Sequence, residues 1–430
     1  MPTVNRVVEL GLCCGCGTCA GICPTQAIDM RVSSGIYQPR IDAEKCNLCE
    51  LCIKSCPGHS VDFESLNSSV FGQQPVNSRV GNHLSCYVGH STNEAIRYNS
   101  ASGGIATQLL AFAFEKGLID GALVIRMSRD NPLVPEVFIA RTVEEVVAAS
   151  KTKYCPVAAN TGLGQILKEE GRYAVVGLPC HIHGVRKAEQ VFKVLRKRIV
   201  LHIGLLCSHM VRFEGVDLLV AKLHIPKGSI SGLTFRGEGW PGSMSISLSN
   251  GSTRRLPLVG SWYAYWPVFS SFFFTPMRCT MCPDQAAELA DVSLGDAWLP
   301  ELKSEKSGES LLIVRTKAAS DLLALLNREK AIELRKVSFS KVEQSQFVNL
   351  VFKKKDLGAR LSTIRKFGVN TPTFHPQPRG SVSPSPWFRM LFMYCNITVS
   401  THKSLRTLLT HVPFPAFRAY YGIYKYLCKI

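Results

Sequence analysis

Between about Ser100 and Trp298 the chain alternates apolar runs of two lengths, each bounded by glycine, proline or small polar residues. The stretch "SASGGIATQLLAFAFEKGLIDGALVI" opens on a glycine turn. Its long apolar run predicts a helix over about 105–116, and the short run after it predicts a strand over 121–126. "RYAVVGLPCHIHGVRK" repeats the arrangement: a buried strand ending at Gly177, a turn with Pro179 and Cys180, then a helix. "RIVLHIGLLC" predicts a third strand ending on Cys207, and "RCTMCPDQAAELADVSLGDAW" an acidic helix followed by a strand. Strands alternating with helices predict an α/β body with a largely parallel or mixed sheet. Ligands in such sheets gather at the carboxyl ends of strands, where Ser102, Gly103, Gly104, Cys180 and Cys207 fall. A glycine turn at a helix start also offers free N–H groups to a phosphate, although SGG by itself is equally an ordinary turn.

The flanks are patterned differently. A polar stretch from about Leu66 to His83 reads as a linker, and the proline-rich "VNTPTFHPQPRGSVSPSPW", Val369 to Trp387, marks a second boundary. Beyond it "WFRMLFMYCNITV" is too short to span a bilayer. Near the end Phe414, Phe417, Tyr421 and Tyr424 recur at helical spacing among Arg418, Lys425 and Lys429. Such a stripe suits peripheral contact with an anionic membrane surface, docking on a partner, or packing back on the body.

Ahead of the body, cysteine replaces hydrophobic periodicity as the signal. The run "LCCGCGTCAGICP" reads Cys13-x2-Cys16-x2-Cys19-x3-Cys23-Pro24, and "CNLCELCIKSCP" reads Cys46-x2-Cys49-x2-Cys52-x3-Cys56-Pro57, each member 33 residues after its counterpart. This internal repeat has the spacing of the bacterial-type iron-sulfur run, in which three thiolates wrap one cubane and the fourth crosses to the other. Cys13, Cys16, Cys19 and Cys56 are therefore assigned to one 4Fe-4S cluster, and Cys46, Cys49, Cys52 and Cys23 to the second. Zinc needs only four thiolates per site and leaves the third step and the trailing proline without a reason. Cys14 falls outside the register and reads as a spare thiol. Residues 1–65 resemble a two-cluster 4Fe-4S ferredoxin domain.

Composition sharpens this. Seventeen cysteines, an odd number at short spacings behind an N-terminus without signal-peptide character, point to metal or redox groups in a reducing cytoplasm rather than disulfides. The formal charge of +18 is uneven: 13 Lys/Arg stand against the single acidic residue Asp356 between Val351 and Ile430. A body near neutrality and the lack of a groove-reading motif argue against nucleic-acid binding.

Cys180, Cys207 and the pair Cys279-x2-Cys282 supply four more thiols, the number a third cubane requires. "SASGGIATQLL", "TKYCPVAAN", "VVGLPCHIHGVRK", "GLLC", "FRGEGWPG" and "CTMCPDQAAELADVSLGDAW" stand in the order seen in the family of coenzyme F-420 hydrogenase/dehydrogenase beta subunits, which the chain resembles over residues 95–335. The resemblance implies an FAD-binding protein with one further 4Fe-4S cluster on Cys180, Cys207, Cys279 and Cys282. It also implies a flavin site drawing on Ser102, Gly103, Gly104, Thr107, Lys153 and Tyr154. Family members often carry Gln after the "GLPC" cysteine. His181 stands there instead, followed by His183; the change tunes the flavin or reflects another substrate, and the two histidines read as hydrogen-bonding flavin, cluster or backbone rather than as a metal pair. Cys180 and His181 are the candidate catalytic residues. Trp240, Trp262, Tyr263, Tyr265 and Trp266 are candidates to stack on a planar substrate, or to pack.

The expected architecture is an α+β ferredoxin-like iron-sulfur domain (1–65), a linker (66–94) and an α/β flavin-binding module with halves 95–175 and 176–335. A helical extension with the Pro-rich linker (336–386) and a basic amphipathic C-terminal tail (387–430) complete it. The implied activity is electron exchange between a small-molecule substrate, deazaflavin among the candidates, and a redox partner protein or ferredoxin. An electron-transfer subunit without its own substrate, or a surface-polysaccharide-associated reductase, are the alternatives. Cys14, Cys86, Cys155, Cys395 and Cys428 have no assigned role.

Overall fold

The computed structural model describes residues 3–378 and 384–427, with side chains from 387 to 426 in the second segment. Lys429 and Cys428 lie outside the described residues. The body is built on one eight-stranded sheet. Its order is Ile332–Val337, Ser85–Ser91, Ser310–Val314, Val292–Asp296, Ile199–Leu205, Tyr173–Gly177, Gly121–Met127, Pro135–Ala140. The four strands 121–127, 173–177, 199–205 and 292–296 are parallel, and antiparallel strands flank them. Covered on both faces, the parallel strands read as near-continuous apolar runs such as "YAVVG".

The helix Ile105–Glu115 covers one face together with Lys317–Arg328, and its apolar residues meet Ala122, Ala174, Ile203 and Val292. It stops where Gly117 turns left-handed at φ +60° and Leu118 N–H donates to the Ala113 carbonyl. On the other face lies Pro179–Val191, started by a proline at its first position. A meander, Ile230–Thr234, Ser243–Leu248 and Thr253–Pro257, forms a separate antiparallel sheet.

Three expectations change. The segment 66–94 is no linker: it carries the end of helix Phe63–Phe71 and the strand Ser85–Ser91, which sits between two other strands of the main sheet. The acidic helix after Cys282 does not form. At helical spacing Asp284, Glu288 and Asp291 would share one stripe, but all three are buried and each takes its own partner, His183, Lys354 and His202, which an irregular segment with Ala287 at φ +50° permits. The aromatic stripe of the tail is used internally. Helix Phe414–Leu427 buries Phe414, Phe417 and Tyr424 against the body, Phe417 edge-on to Phe273 at 5.7 Å and Tyr424 near Phe272 at 6.5 Å. The face that would have entered a membrane surface is thereby covered. Among the described residues no helix is long and apolar enough to cross a membrane.

The N-terminal lobe holds the hairpin Ile28–Ser33/Ile36–Ile41 and two four-residue helices, Thr18–Gly21 and Leu51–Lys54, themselves 33 positions apart. It is fused to the rest. Val7, Ile22, Val61 and Leu66 share one core with Leu163, Ile182 and Met281 of the body and with Leu361 and Met393 of the C-terminal segment. Strand Ser60–Asp62 pairs in parallel with Thr373–His375.

Candidate functional site: a line of thiols ending at a cavity

Each half of the cysteine repeat presents its loop in the same way. The residues before the two short helices, Gly17 and Glu50, are both left-handed at φ +81° and +62°. Cys13, Cys16, Cys19 and Cys56 gather on one side. Burial first, then the neighbouring Cys56 and Cys13, pushes the Cys19 thiol well up, and burial lifts Cys56 to about 11. Cys52 is raised by burial and lies near Cys49 and Cys23, the partners assigned from spacing. Backbone N–H groups already point at sulfur: Gly15 to Cys13 at 3.4 Å, Ala27 to Cys23 at 3.3 Å. Buried neutral thiols crowded in fours are a poor arrangement for an apolar core. They suit a cationic metal centre, which deprotonates coordinating thiols outright. The cysteines are graded in exposure, from exposed Cys49 to buried Cys16 and Cys19.

The body clamps the first loop. Asn160 N–H donates to the Cys16 carbonyl at 2.9 Å, and its amide donates to Thr18 Oγ1 and to the His181 carbonyl, both at 2.8 Å. A Cβ at Gly21 would collide with the Asn160 carbonyl, and one at Gly184 with Thr18 Oγ1, so glycine is required at both contacts. Lys187 and Arg278 bind the carbonyls of Cys56, Ser60, Pro57 and Gly58.

Next inward, Cys180, Cys207, Cys279 and Cys282 line one small cavity of about 40 Å³ together with Cys14, Pro57, His183, Arg278 and Lys353. All four cysteines are partly accessible and line this cavity. Burial pushes Cys207 up to about 12 against the lowering field of Lys353. Cys14 lines the same cavity as Cys180 and stands two residues before Cys16, so the thiol outside the register occupies the seam between the two groups. Among the described residues no three His, Cys, Asp or Glu converge closely enough to grip a single ion. Four thiols spaced around a void fit a larger group such as a cubane better than one zinc held at about 2.3 Å by every sulfur.

His181 sits at the junction, but not as a free acid or base. The Leu178 N–H donates to its Nδ1 at 3.2 Å, leaving Nε2 to donate to the Val157 carbonyl at 3.2 Å, and burial lowers its pKa to about 4. A neutral ring with both nitrogens committed holds the start of helix 179–191 in place. His183 bonds Asp284 at 2.8 Å.

Beyond His181 and Cys207 opens a cavity of about 310 Å³ at the carboxyl ends of the parallel strands. Ser102, Gly104, Thr107, Lys153, Tyr154, His181 and Cys207 all line it, and it shares His181, Cys207, His209 and Met210 with the thiol cavity. Gly103 lies beneath the wall, where its N–H donates to Ser310 Oγ at 3.0 Å and a side chain would strike the Gly89 carbonyl. Ser102 meets the same hydroxyl at 2.9 Å. Lys153 is turned away from any ligand: its ammonium donates to the carbonyls of Ala149, Ser150 and Lys151 at 2.6, 2.7 and 2.9 Å. Burial pulls its pKa down to about 7, while those three acceptors favour the cation.

Tyr154 packs on Phe235 and on Trp266, which lines the cavity; Trp240 instead donates to Asp296, and Tyr265 is buried on Phe269. Trp262 and Tyr263 are exposed, and Trp262 lies under Arg418. A second cavity of about 630 Å³ adjoins the first through Thr107 and residues 150–153. The patterns missed Gln285, whose amide donates to Gln346 at 2.7 Å and whose carbonyl oxygen is buried without a donor among the described residues. They also missed Gln346, Asn349 and Lys353, which come from the C-terminal extension.

A model of the N-terminal part of the coenzyme F420 hydrogenase/dehydrogenase beta subunit matches residues 86–163, and one of the C terminus of the same protein matches 170–339. A 4Fe-4S dicluster domain matches 12–59. The chain is 25% identical over 288 residues to the beta subunit of the coenzyme F420 hydrogenase of Methanosarcina barkeri, covering 62% of this chain and 91% of that protein. It is 25% identical over 375 residues to the coenzyme F420-dependent sulfite reductase of Methanocaldococcus jannaschii, covering 83% of this chain but spanning only 52% of that protein. A chain of the F420-reducing [NiFe] hydrogenase complex from Methanosarcina barkeri has the same fold, with a TM-score of 0.54 at 20% identity over 69% of this chain and 97% of that one.

Proposed function

The chain belongs to the family of coenzyme F420 hydrogenase/dehydrogenase beta subunits, and on that premise we propose that it is an iron-sulfur flavoprotein oxidoreductase with three 4Fe-4S clusters and one FAD. The observation that carries this reading is continuity. The cavity at the strand ends shares a wall with the four-thiol cavity, and that cavity shares Cys14 and Pro57 with the loops of the N-terminal lobe. Bound FAD would exchange electron pairs with a small substrate and single electrons with the iron-sulfur centres.

The chain's own residues position and insulate. Free N–H groups at the start of helix 105–115 favour a phosphate, and the hydroxyls of Ser102 and Ser310 fix the turn that presents them. The Gln285 carbonyl accepts an N–H from a planar ring, and Trp266 and Trp298 supply apolar walls. The outer cavity, with Arg126, Arg129 and Lys151 along it, takes the more polar end of the dinucleotide or of the substrate. His181 carries no proton to the reaction; it holds Cys180 and the Val157 loop in register. Electrons would leave near exposed Cys49, the natural contact for a ferredoxin or a partner protein. Reduced deazaflavin is the first substrate to try, because the relatives named above act with coenzyme F420.

Analysis of the purified, anaerobically reconstituted chain is expected to find about 12 iron atoms and one FAD, three cubanes at four irons each. Iron near eight would remove the third cluster, and absence of flavin would remove the FAD. Flavin bound without oxidation of reduced deazaflavin or NAD(P)H would favour an electron-transfer subunit instead.

A further inference from the structure

The family models end at residue 339, and the chain continues into a C-terminal extension. Helix Phe339–Leu350 breaks at Gln346, whose φ of −118° and ψ of 15° are non-helical, and the chain continues into a π-helical turn, Val351–Lys355. Isolated π turns are rare and frequent at functional sites, because the extra residue re-aims a side chain. Here the re-aimed side chain is Lys353. It is 1% exposed, it lines the cavity of Cys180, Cys207, Cys279 and Cys282, and its Nζ donates to the Cys279 carbonyl at 3.3 Å.

Its neighbours settle their charges with other groups. Lys354 pairs with Glu288, Arg360 donates to the Thr280 and Phe352 carbonyls, and Arg278 donates to Pro57 and Gly58. Among the described residues no carboxylate forms an ion pair with Lys353; the Phe352 ring, 5.9 Å away, is its other contact. A buried ammonium without a counter-anion is strongly disfavoured. Of the described residues, Asp284 is the one carboxylate lining this cavity, and its Oδ2 is taken by His183 and by the Glu288 N–H; the anion left to face Lys353 is a thiolate-ligated cluster.

We propose that Lys353 is the counter-cation and positioning residue of the cluster on Cys180, Cys207, Cys279 and Cys282, raising that cluster's reduction potential. A positive charge beside the cysteine ligands stabilises the reduced, more negative state, and net charge and hydrogen bonds at sulfur are what set such potentials. The inference rests on the three-cluster reading above.

Its test is an EPR-monitored redox titration of full-length wild type, Lys353→Met, Lys353→Gln and Lys353→Arg, with iron counted in each and the third signal identified by its loss in Cys282→Ser. Neutral variants are expected to keep wild-type iron and to lower the third potential by about 59 mV or more, a tenfold change in the one-electron equilibrium constant. The arginine variant is expected to restore most of the shift, and the other two signals to stay fixed. Should methionine lose the cluster, glutamine, which is polar and neutral, carries the comparison. Full iron with an unmoved third potential in both neutral variants overturns the inference; wild-type iron near eight overturns the three-cluster reading instead.

Discussion

At the scale of single residues, Cys14 and His202 show how little a side chain's type says about its task. Cys14 sits against Cys16 and Cys180, yet each assigned site already has four thiols without it. Cys14→Ala is therefore expected to leave the iron count at the wild-type value; loss of about four irons on analysis would make Cys14 a ligand. His202 lies in a closed buried ring. Its Nδ1 meets Asp291 at 2.9 Å and its Nε2 meets Glu189 at 2.7 Å, while Arg186 bonds both carboxylates. Burial opposes charge on His202 and on Asp291, but His202 and Arg186 hold Asp291 below the usual carboxylate range, and Glu189 and Asp291 raise His202 despite its burial.

The folded state thus binds the His202 proton more tightly than the unfolded chain. That stabilisation is complete below about pH 6.5 and fades as pH rises through the folded value. The Asp291 contribution is present above about pH 4 and is lost on acidification. His202→Gln is expected to cost about 3 kcal/mol in urea unfolding by stranding two buried carboxylates, and to flatten the alkaline limb of stability against pH. The gathering of the N-terminal cysteines was legible because their spacing encodes a cluster loop, and a 4Fe-4S dicluster domain matches there. Asn160, Gln285 and Lys353 were not, because each acts across 60 to 150 residues of chain through a bond that no local pattern announces.

Elements were legible where burial has a period. The helix 105–115 and the strand 121–127 lie where their apolar runs place them, within a residue at each end, and the strand 173–177 ends at Gly177 as expected. The strand Ser85–Ser91 was hidden by its composition: "SCYVGHS" alternates small and polar residues, and its neighbours 310–314 and 332–337 arrive more than 200 residues later. The tail helix shows the opposite ambiguity, since one aromatic stripe serves a membrane or a protein face equally well. The structure puts Phe417 at 2% exposure beside Phe273, with Lys222 5.2 Å over its ring. Phe417→Ala is expected to cost about 3–5 kcal/mol, as for other buried Phe truncations, with no change in cofractionation with membranes. A stable variant that left the membrane fraction would return the stripe to the lipid surface.

Across the whole molecule, the three thiol groups are ordered by depth within one continuous core rather than strung across separable domains. The N-terminal lobe, the sheet and the C-terminal segment share apolar contacts, and strand 60–62 is completed by strand 373–375. Loss of the lobe would strip the Cys180 cavity of Cys14 and Pro57 as well as two clusters. The group with Cys49 is the outermost; Cys16 and Cys19 are buried, and Cys180, Cys207 and Cys279 line the cavity next to them. Attack by an oxidant and an iron chelator is expected to begin at the group with exposed Cys49, because that loop meets solvent in the native state, whereas buried Cys16 and Cys19 are reached only by opening packed protein. Iron release in air with a chelator is expected to be phased: about four irons per chain leave first, together with the EPR signal that Cys49→Ser abolishes. The inner signals should persist until the fold itself opens. Release of all iron in a single phase with the outer signal no faster than the rest would mean that the lobe detaches as a unit, and that the shared core does not hold it to the body.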